Sequence, residues 1–125
     1  MVRAWATCPP AWLEIRAPAR IDPNLGLGIG ETHAISLARK LHADAVLIDE
    51  RRALTIARKA GLVVTDTLGV LEIAAERILL DLVSALAALR QTTFRVSDQI
   101  LGDLLRRDAD RRRQLLGDSD GGDRK

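Results

Sequence analysis

The sequence predicts an α/β fold in which a parallel sheet is flanked by helices. Residues 45–48 (AVLI) and 62–64 (LVV) are short apolar runs, and an amphipathic segment at residues 51–60 separates them. Parallel strands cannot be joined by a tight turn and need a crossover of about a dozen residues, usually a helix. Continuous apolar runs are typical of parallel strands that are covered on both faces. Strand, helix and strand therefore predict a βαβ unit, which is central to the fold.

The composition indicates one domain in the cytoplasm. A chain of 125 residues can bury a core, and with 2% aromatic residues that core must consist of Leu, Ile, Val and Ala. The net charge of +2 is too small to indicate nucleic-acid binding by itself. A single cysteine, Cys8, excludes an internal disulfide and fits a reducing compartment. No apolar run approaches the about 18 residues of a membrane helix, and no signal peptide is recognisable, so no membrane association is expected.

The first part of the chain is expected to contain little regular structure. Residues 1–10 end in two prolines and predict an irregular lead-in. Residues 11–16 (AWLEIR) alternate well enough between apolar and polar side chains to predict a short strand, with Trp12 as an anchor. Prolines and glycines keep residues 17–30 as a loop.

The βαβ unit follows a helix at residues 31–42, whose apolar positions recur at helical spacing. Residues 45–48 are the first strand, residues 51–60 the crossover helix and residues 62–64 the second strand. Gly61 occupies the position just after the crossover helix, where a left-handed backbone conformation is common.

Helices are predicted for the rest of the chain. One covers residues 68–80 and continues through residues 81–90 after a bend, and another begins after the N-cap residue Ser97 and ends near residue 107. Residues 108–125 are densely charged and are expected to be disordered. The predicted organisation is thus a lead-in at residues 1–10, a domain at residues 11–107 and a tail.

Glycine and histidine residues give weak functional signals. Gly26, Gly28 and Gly30 form a G-x-G-x-G pattern, which lacks the spacing of a dinucleotide-binding loop and is better explained by a turn that needs positive φ. His33 and His42 have no further ligand at zinc-binding spacing, so both are interpreted as surface residues.

Carboxylates give the stronger signal. Glu31 opens a helix, and Asp49 and Glu50 directly follow the first strand of the βαβ unit. Each has an ordinary explanation, because acids stabilise helix N-termini and cap helices. In open parallel sheets, however, sites form outside the carboxyl ends of the strands, where Asp49 is located. Carboxylates that converge there would bind a hard cation such as Mg²⁺ through oxygen ligands, and metal ions of this kind support phosphodiester cleavage.

Basic residues near these acids have two interpretations. They could hold phosphate groups, or they could simply form solvated helix faces. The residues concerned are Arg39, Lys40, Arg51, Arg52, Arg58 and Lys59.

The run GETHAISLARKLHADAVLIDERRALTIARKAGLVVTDTLGVLEIA resembles the C-terminal half of a PIN domain. The similarity is greatest to short bacterial and archaeal PIN-like proteins, which carry a GE-x-x-AI-x-LA helix, an LIDD or LIDE strand end and a GT-LGVL helix start. It extends over about residues 10–107. The resemblance implies a PIN-like, three-layer fold and a ribonuclease that depends on Mg²⁺ or Mn²⁺, similar to the VapC-type toxins of toxin–antitoxin pairs. RNA would be the substrate and an antitoxin protein a partner.

The resemblance also implies roles for individual residues. Glu31 and Asp49 match the acids that hold the metal and carry catalysis, and Glu50 is an adjacent contributor to the metal site. Asp66 stands where glycine is common in this branch, so no role is transferred to it.

One departure motivates a second hypothesis. PIN domains begin with a central strand that ends in an essential aspartate, and residues 1–10 do not resemble that segment. The fold is therefore expected to be incomplete at its N-terminus, with an open edge beside residues 45–48. The alternative is a catalytically silent module that binds a partner protein, or associates with itself as a homo-oligomer, by adding a strand at this edge.

Overall fold

The computed structural model describes residues 2–120 and divides the chain into two compact units, one up to Thr65 and the other from Asp66 onward. The first unit contains helix α1 (Val2–Thr7), a 3₁₀ helix (Pro23–Leu25), α2 (Ile29–Leu41), β1 (Val46–Leu47), α3 (Arg51–Lys59) and β2 (Val64–Thr65). The second contains α4 (Thr67–Glu76), α5 (Leu82–Arg90) and α6 (Asp98–Asp120). The predicted α/β class with a parallel sheet is confirmed.

The βαβ unit is present as predicted. Strands β1 and β2 are parallel, with Val46 opposite Val64 and Leu47 opposite Thr65. The amide of Ile48 donates to the carbonyl of Thr65 at 2.9 Å, which extends the ladder by one residue. Helix α3 connects the strands, and Gly61 just after it has φ of 81°, the left-handed conformation expected at this position.

The core of the first unit lies between α2, α3 and one face of the two strands. Small alanines on α3 let this helix approach the sheet closely, and the core is built from Ile35, Ala38, Val46, Ile48, Ala53 and Ala57. The side chain of Leu47 points the other way and is 52% exposed. Only one face of β1 is therefore covered within the described residues, whereas the apolar run predicted cover on both faces.

The N-terminal predictions were wrong. Residues 2–7 form helix α1 instead of an irregular lead-in. Residues 11–16 form no strand, and Trp12, which was expected to be an anchor, is 71% exposed and contacts Trp5 edge to face. An alternating pattern produces a strand only when a neighbouring strand accepts its backbone hydrogen bonds. Residues 11–16 have no such neighbour in the part of the chain that the structure describes.

The second unit is a three-helix cluster with its own core. Leucines from α5 and α6 meet Ala75 of α4, and the buried residues are Ala75, Leu82, Leu86, Leu101 and Leu104. Side chains cap each helix: Asp66 accepts from the Gly69 amide at 2.7 Å, Asp81 from the Ser84 amide at 2.9 Å, and Ser97 from the Ile100 amide at 3.3 Å. The predicted bend is a complete break between α4 and α5.

Helix α6 is longer than predicted. It continues from residue 107 to Asp120, so residues 108–120 are helical and the expected disorder is wrong for this part; residues 121–125 lie outside the described residues. Asp108 is 3% exposed and pairs with Arg111 and Arg112, which follow it at helical spacing. The dense charge of this segment is thus arranged in ion pairs that stabilise the helix. No helix in the described part of the chain is long and apolar enough to cross a membrane.

The cap of α5 is expected to make the second unit sensitive to acid. The side-chain hydrogen bond from Arg112, together with those from Ser84, lowers the pKa of Asp81 from 3.8 to about 2. A carboxyl group with a lowered pKa contributes stability that is fully present above its unfolded pKa and is lost as the pH falls through its folded pKa. Helicity, followed by far-ultraviolet circular dichroism, should therefore decline as the pH falls from 3.8 toward 2.

The variant Asp81→Asn is the control for this acid titration, because asparagine keeps the cap but has no charge to lose. It should be less stable than the wild type at neutral pH and should lose less stability in this acid range. An identical pH dependence in both proteins would show that Asp81 does not contribute.

Candidate active site

The cleft at the carboxyl end of β1 is lined by all three candidate acids, Glu31, Asp49 and Glu50. Gly30, Glu31 and Ala34 of α2 form one side, and residues 47–50 form the other. The cleft has a volume of about 390 Å³ and lies entirely within the first unit. Glu31 and Asp49, which are 18 positions apart in the sequence, therefore line a common cavity.

Glu31 is placed by the first turn of α2. It is half-buried and is the third residue after the N-cap Gly28, so its side chain turns back over the start of the helix. A Cβ atom at Gly28 would lie 2.5 Å from Oε2 of Glu31. The glycine thus leaves the space that this carboxylate occupies. Within residues 2–120 the Glu31 carboxylate has no hydrogen bond or ion pair, so its oxygens can accept a ligand.

Asp49 is placed by the end of β1. The ladder hydrogen bond of Ile48 fixes the backbone immediately before it, and its side chain is exposed at the rim of the cleft. An acid at the end of a fixed strand is held in position without losing access to solvent, which is what a ligand-binding carboxylate requires.

Glu50 has a structural role. Its side chain is the N-cap of α3, where Oε1 accepts from the Arg52 amide at 3.0 Å and Oε2 from the Ala53 amide at 2.7 Å. These backbone hydrogen bonds lower the pKa of Glu50, so it is charged at neutral pH. Both oxygens of Glu50 accept these backbone hydrogen bonds, so its side chain acts as the cap of α3. Its role as a metal ligand stays a prediction.

The turn before α2 contributes a contact that the sequence did not indicate. Of the three glycines, only Gly26 has positive φ, at 64°, so the predicted turn chemistry applies there alone. A Cβ atom at Gly26 would lie 3.1 Å from the guanidinium of Arg52, which therefore packs on this turn. Gly28 acts differently, by leaving room for Glu31. For this second contact, between Gly28 and Glu31, the sequence did carry a signal: a glutamate three positions after a residue that can serve as the N-cap.

The two histidines and Asp66 have no metal-binding arrangement in the described chain. His42 ends α2 in a left-handed conformation, with φ of 49°, and its amide donates to the carbonyls of the last turn. His33 lies half-buried on α2, and Asp66 caps α4. No group of three or more His, Cys, Asp or Glu side chains within residues 2–120 is close enough to hold a metal ion.

Comparison with family models identifies the family to which this chain belongs. The model described as PIN domain matches residues 8–110, which is most of the chain. The chain belongs to the PIN domain family. The resemblance seen over residues 10–107 is thereby confirmed at the level of the family. Comparison with curated proteins and with solved structures gave no match.

The cleft of this PIN domain has a donor set that fits a hard divalent cation. PIN domains generally depend on a divalent metal, and Glu31 and Asp49 offer carboxylate oxygens on two sides of one cavity. Mg²⁺ is often bound through one or two carboxylates, with water and substrate phosphates completing its coordination. Zinc sites usually include His or Cys ligands, and the cleft lining contains neither residue. The donor set therefore fits a hard divalent cation better than zinc.

Adding a methyl group at position 28 is expected to displace the Glu31 carboxylate. The variant Gly28→Ala should keep its fold, because the backbone there, at φ −59° and ψ 162°, suits alanine and the atom in the way is the end of a flexible side chain. Misplacement of a reacting group by about 1 Å can lower a rate by about 100-fold, so a metal-dependent activity that relies on Glu31 should fall by about 10- to 100-fold.

The matched control is Gly30→Ala in the same helical turn. A Cβ atom at position 30 has no neighbour within 4 Å, so the Glu31 carboxylate should stay in place and activity should be retained. Equal activity of the two variants would contradict a positioning role for Gly28. Both are compared by circular dichroism to confirm that they remain folded.

Proposed function

We propose that this PIN domain is a ribonuclease that depends on Mg²⁺ or Mn²⁺ and acts in the cytoplasm as a VapC-type toxin of a toxin–antitoxin pair. The observation that supports this most directly is the common cleft of Glu31 and Asp49 at the carboxyl end of β1. Membership of the PIN domain family supports nuclease chemistry, and the carboxylate oxygens support a hard cation.

We assign a separate role to each charged residue in or beside the cleft. Glu31 and Asp49 would hold the cation, one from the first turn of α2 and the other from the end of β1. When bound, Mg²⁺ or Mn²⁺ supplies positive charge that polarises the phosphodiester and lowers the pKa of water. Glu50 keeps α3 capped and thereby fixes the turn that carries Asp49. Arg51 and Arg52, exposed in the first turn of α3, would attract the RNA backbone.

Metal dependence tests the proposed activity. The purified chain is incubated with single-stranded RNA in the presence of Mg²⁺, Mn²⁺ or a chelator, and the products are resolved by electrophoresis. Cleavage with either metal and none with the chelator is the expected result. Absence of cleavage under all conditions, or cleavage that persists with the chelator, would contradict the proposal. Activity that an added antitoxin suppresses would support the toxin assignment.

A binding module is the second candidate function, and the open side of β1 favours it. Among residues 2–120, β2 is the only strand paired with β1, and Leu47 and Val63 are 52% and 66% exposed. A strand from a partner protein, or from a second copy of this chain, could pair with β1 by backbone hydrogen bonds. Light scattering of the purified protein, combined with the cleavage assay, distinguishes the nuclease from the binding module. A protein that stays monomeric, binds no partner and cleaves RNA would contradict the binding module.

A further inference from the structure

The first unit has a second cleft, whose lining residues have no role in the proposed nuclease site. It lies between residues 19–23 and the second half of α2, and its volume is about 640 Å³. Its apolar lining comes mainly from the loop, where Ile21 is 47% exposed, and its rim carries the basic residues Arg20, Arg39 and Lys40. We refer to it as the basic groove.

The three cations of the basic groove have no counter-charge in the described chain. Arg20, Arg39 and Lys40 are exposed and take part in no ion pair or side-chain hydrogen bond within residues 2–120. The one acid in the lining, Asp22, accepts a hydrogen bond from the Asn24 amide at 2.9 Å and caps the 3₁₀ helix. The groove therefore combines an apolar floor with a net positive rim.

The basic groove is separate from the acidic cleft. Lys40 follows Glu31 by nine positions on the same helix, which is about two and a half turns, so the two side chains leave α2 on opposite sides. A ligand in the basic groove would not contact Glu31 directly. The basic groove shares no lining residue with the acidic cleft and is therefore not part of the proposed cleavage site.

An acidic peptide fits the basic groove better than RNA. Proteins that bind single-stranded nucleic acid combine positive charge with aromatic side chains on which bases stack, and none of the residues that line the groove is aromatic. An apolar floor bordered by cations instead matches a segment that carries one apolar anchor between carboxylates. We propose that the basic groove binds an acidic peptide segment of a partner protein, with an apolar side chain near Ile21 and carboxylates at Arg20, Arg39 and Lys40.

A purely structural role of Arg39 and Lys40, stabilising the end of α2, can be tested against an equivalent pair on another helix. Basic residues in the last turn favour the negative end of the helix dipole. Helix α3 carries the same pair, Arg58 and Lys59, in its last turn and outside the groove. Removing either pair should affect its helix similarly, whereas only Arg39 and Lys40 should affect binding of a peptide.

Selection from a random peptide library displayed on phage tests the proposal with the whole 125-residue chain. The expected result is enrichment of peptides that contain Asp or Glu around an aliphatic or aromatic residue. Their affinity is measured by fluorescence anisotropy. The Arg39→Ala/Lys40→Ala variant should bind them about five- to tenfold more weakly, and the Arg58→Ala/Lys59→Ala variant should bind them as the wild type does.

The apolar floor is tested in the same assay. Ile21→Ser should weaken binding, while Ile15→Ser, at a side chain that is 79% exposed and outside the groove, should not. Failure to enrich acidic peptides, or equal affinity of the two double alanine variants, would overturn the proposal. Displacement of the peptide by oligouridylate, with loss of RNA binding confined to the Arg39→Ala/Lys40→Ala variant, would assign the groove to RNA instead and would also overturn it.

Discussion

Asp49→Asn and Glu31→Gln are each expected to reduce metal-dependent RNA cleavage by more than about 100-fold. Loss of a partner that merely supports a metal ligand costs about 10- to 100-fold in affinity or activity, and loss of a ligand should cost more. Both substitutions keep the size of the side chain and remove its negative charge. Neither side chain is part of the buried core, so the fold should be retained. Single-turnover cleavage rates measure the effect.

The double variant Asp49→Asn/Glu31→Gln decides whether the two acids act on one ion. Residues that work as a unit give non-additive losses, so the double variant should be no slower than the slower single variant. Titration calorimetry with Mn²⁺ provides a readout that does not depend on RNA, and binding should be weakened in all three proteins. Asp44→Asn, which removes an exposed acid just before β1, is the control and should behave as the wild type. Losses that multiply would indicate two separate roles.

Replacing Ile35 by alanine is expected to lower the free energy of unfolding of the first unit by about 2–5 kcal/mol. Ile35 is fully buried on α2, where it packs in the core with Val46 and Ile48 of the strand that positions Asp49. The cavity left by three missing carbon atoms removes contacts from both α2 and β1. Because natural domains are stable by only about 5–15 kcal/mol, this loss is a large fraction of the total.

Ile29→Ala is the matched control for Ile35→Ala, because it makes the same change on the same helix at a side chain that is 77% exposed. Its effect should be within about 0.5 kcal/mol. Urea denaturation measures both, and hydrogen exchange should show faster exchange of α2 and β1 amides in Ile35→Ala. Equal destabilisation by the two substitutions would contradict the assignment of Ile35 to the core.

Local signals predicted the central part of the fold well. The βαβ unit followed from two apolar runs and the amphipathic segment between them, because helical and strand periodicities are local properties. Gly61 and the N-cap Ser97 were identified for the same reason, since the conformations they favour depend on their own chemistry. The approach of Glu31 to Asp49 followed from the rule that sites form at the carboxyl ends of parallel strands.

Other features depended on partners that sequence reasoning could not supply. The alternating residues 11–16 form no strand, because strand pairing is a long-range property. The charged residues 108–120 form a helix, because Asp108 is buried and paired with two arginines one turn away. Charge density alone did not reveal that pairing. The sequence left Glu50 open as a helix cap or a metal ligand, and only the orientation of its side chain shows that it caps α3.

The sequence by itself determined the α/β class, the βαβ unit and the choice of Glu31 and Asp49 as candidate acids, since all three follow from local patterns and motifs. Tertiary structure decided which side chains share a cavity. It placed Glu31 and Asp49 in one cleft, left the space at Gly28 for a carboxylate, and brought the loop at residues 19–23 beside Arg39 and Lys40. The two cavities join segments that are distant in the chain, and local patterns do not encode such contacts. The first cavity depends on α2 and β1 packing together through the core of Ile35, Val46 and Ile48.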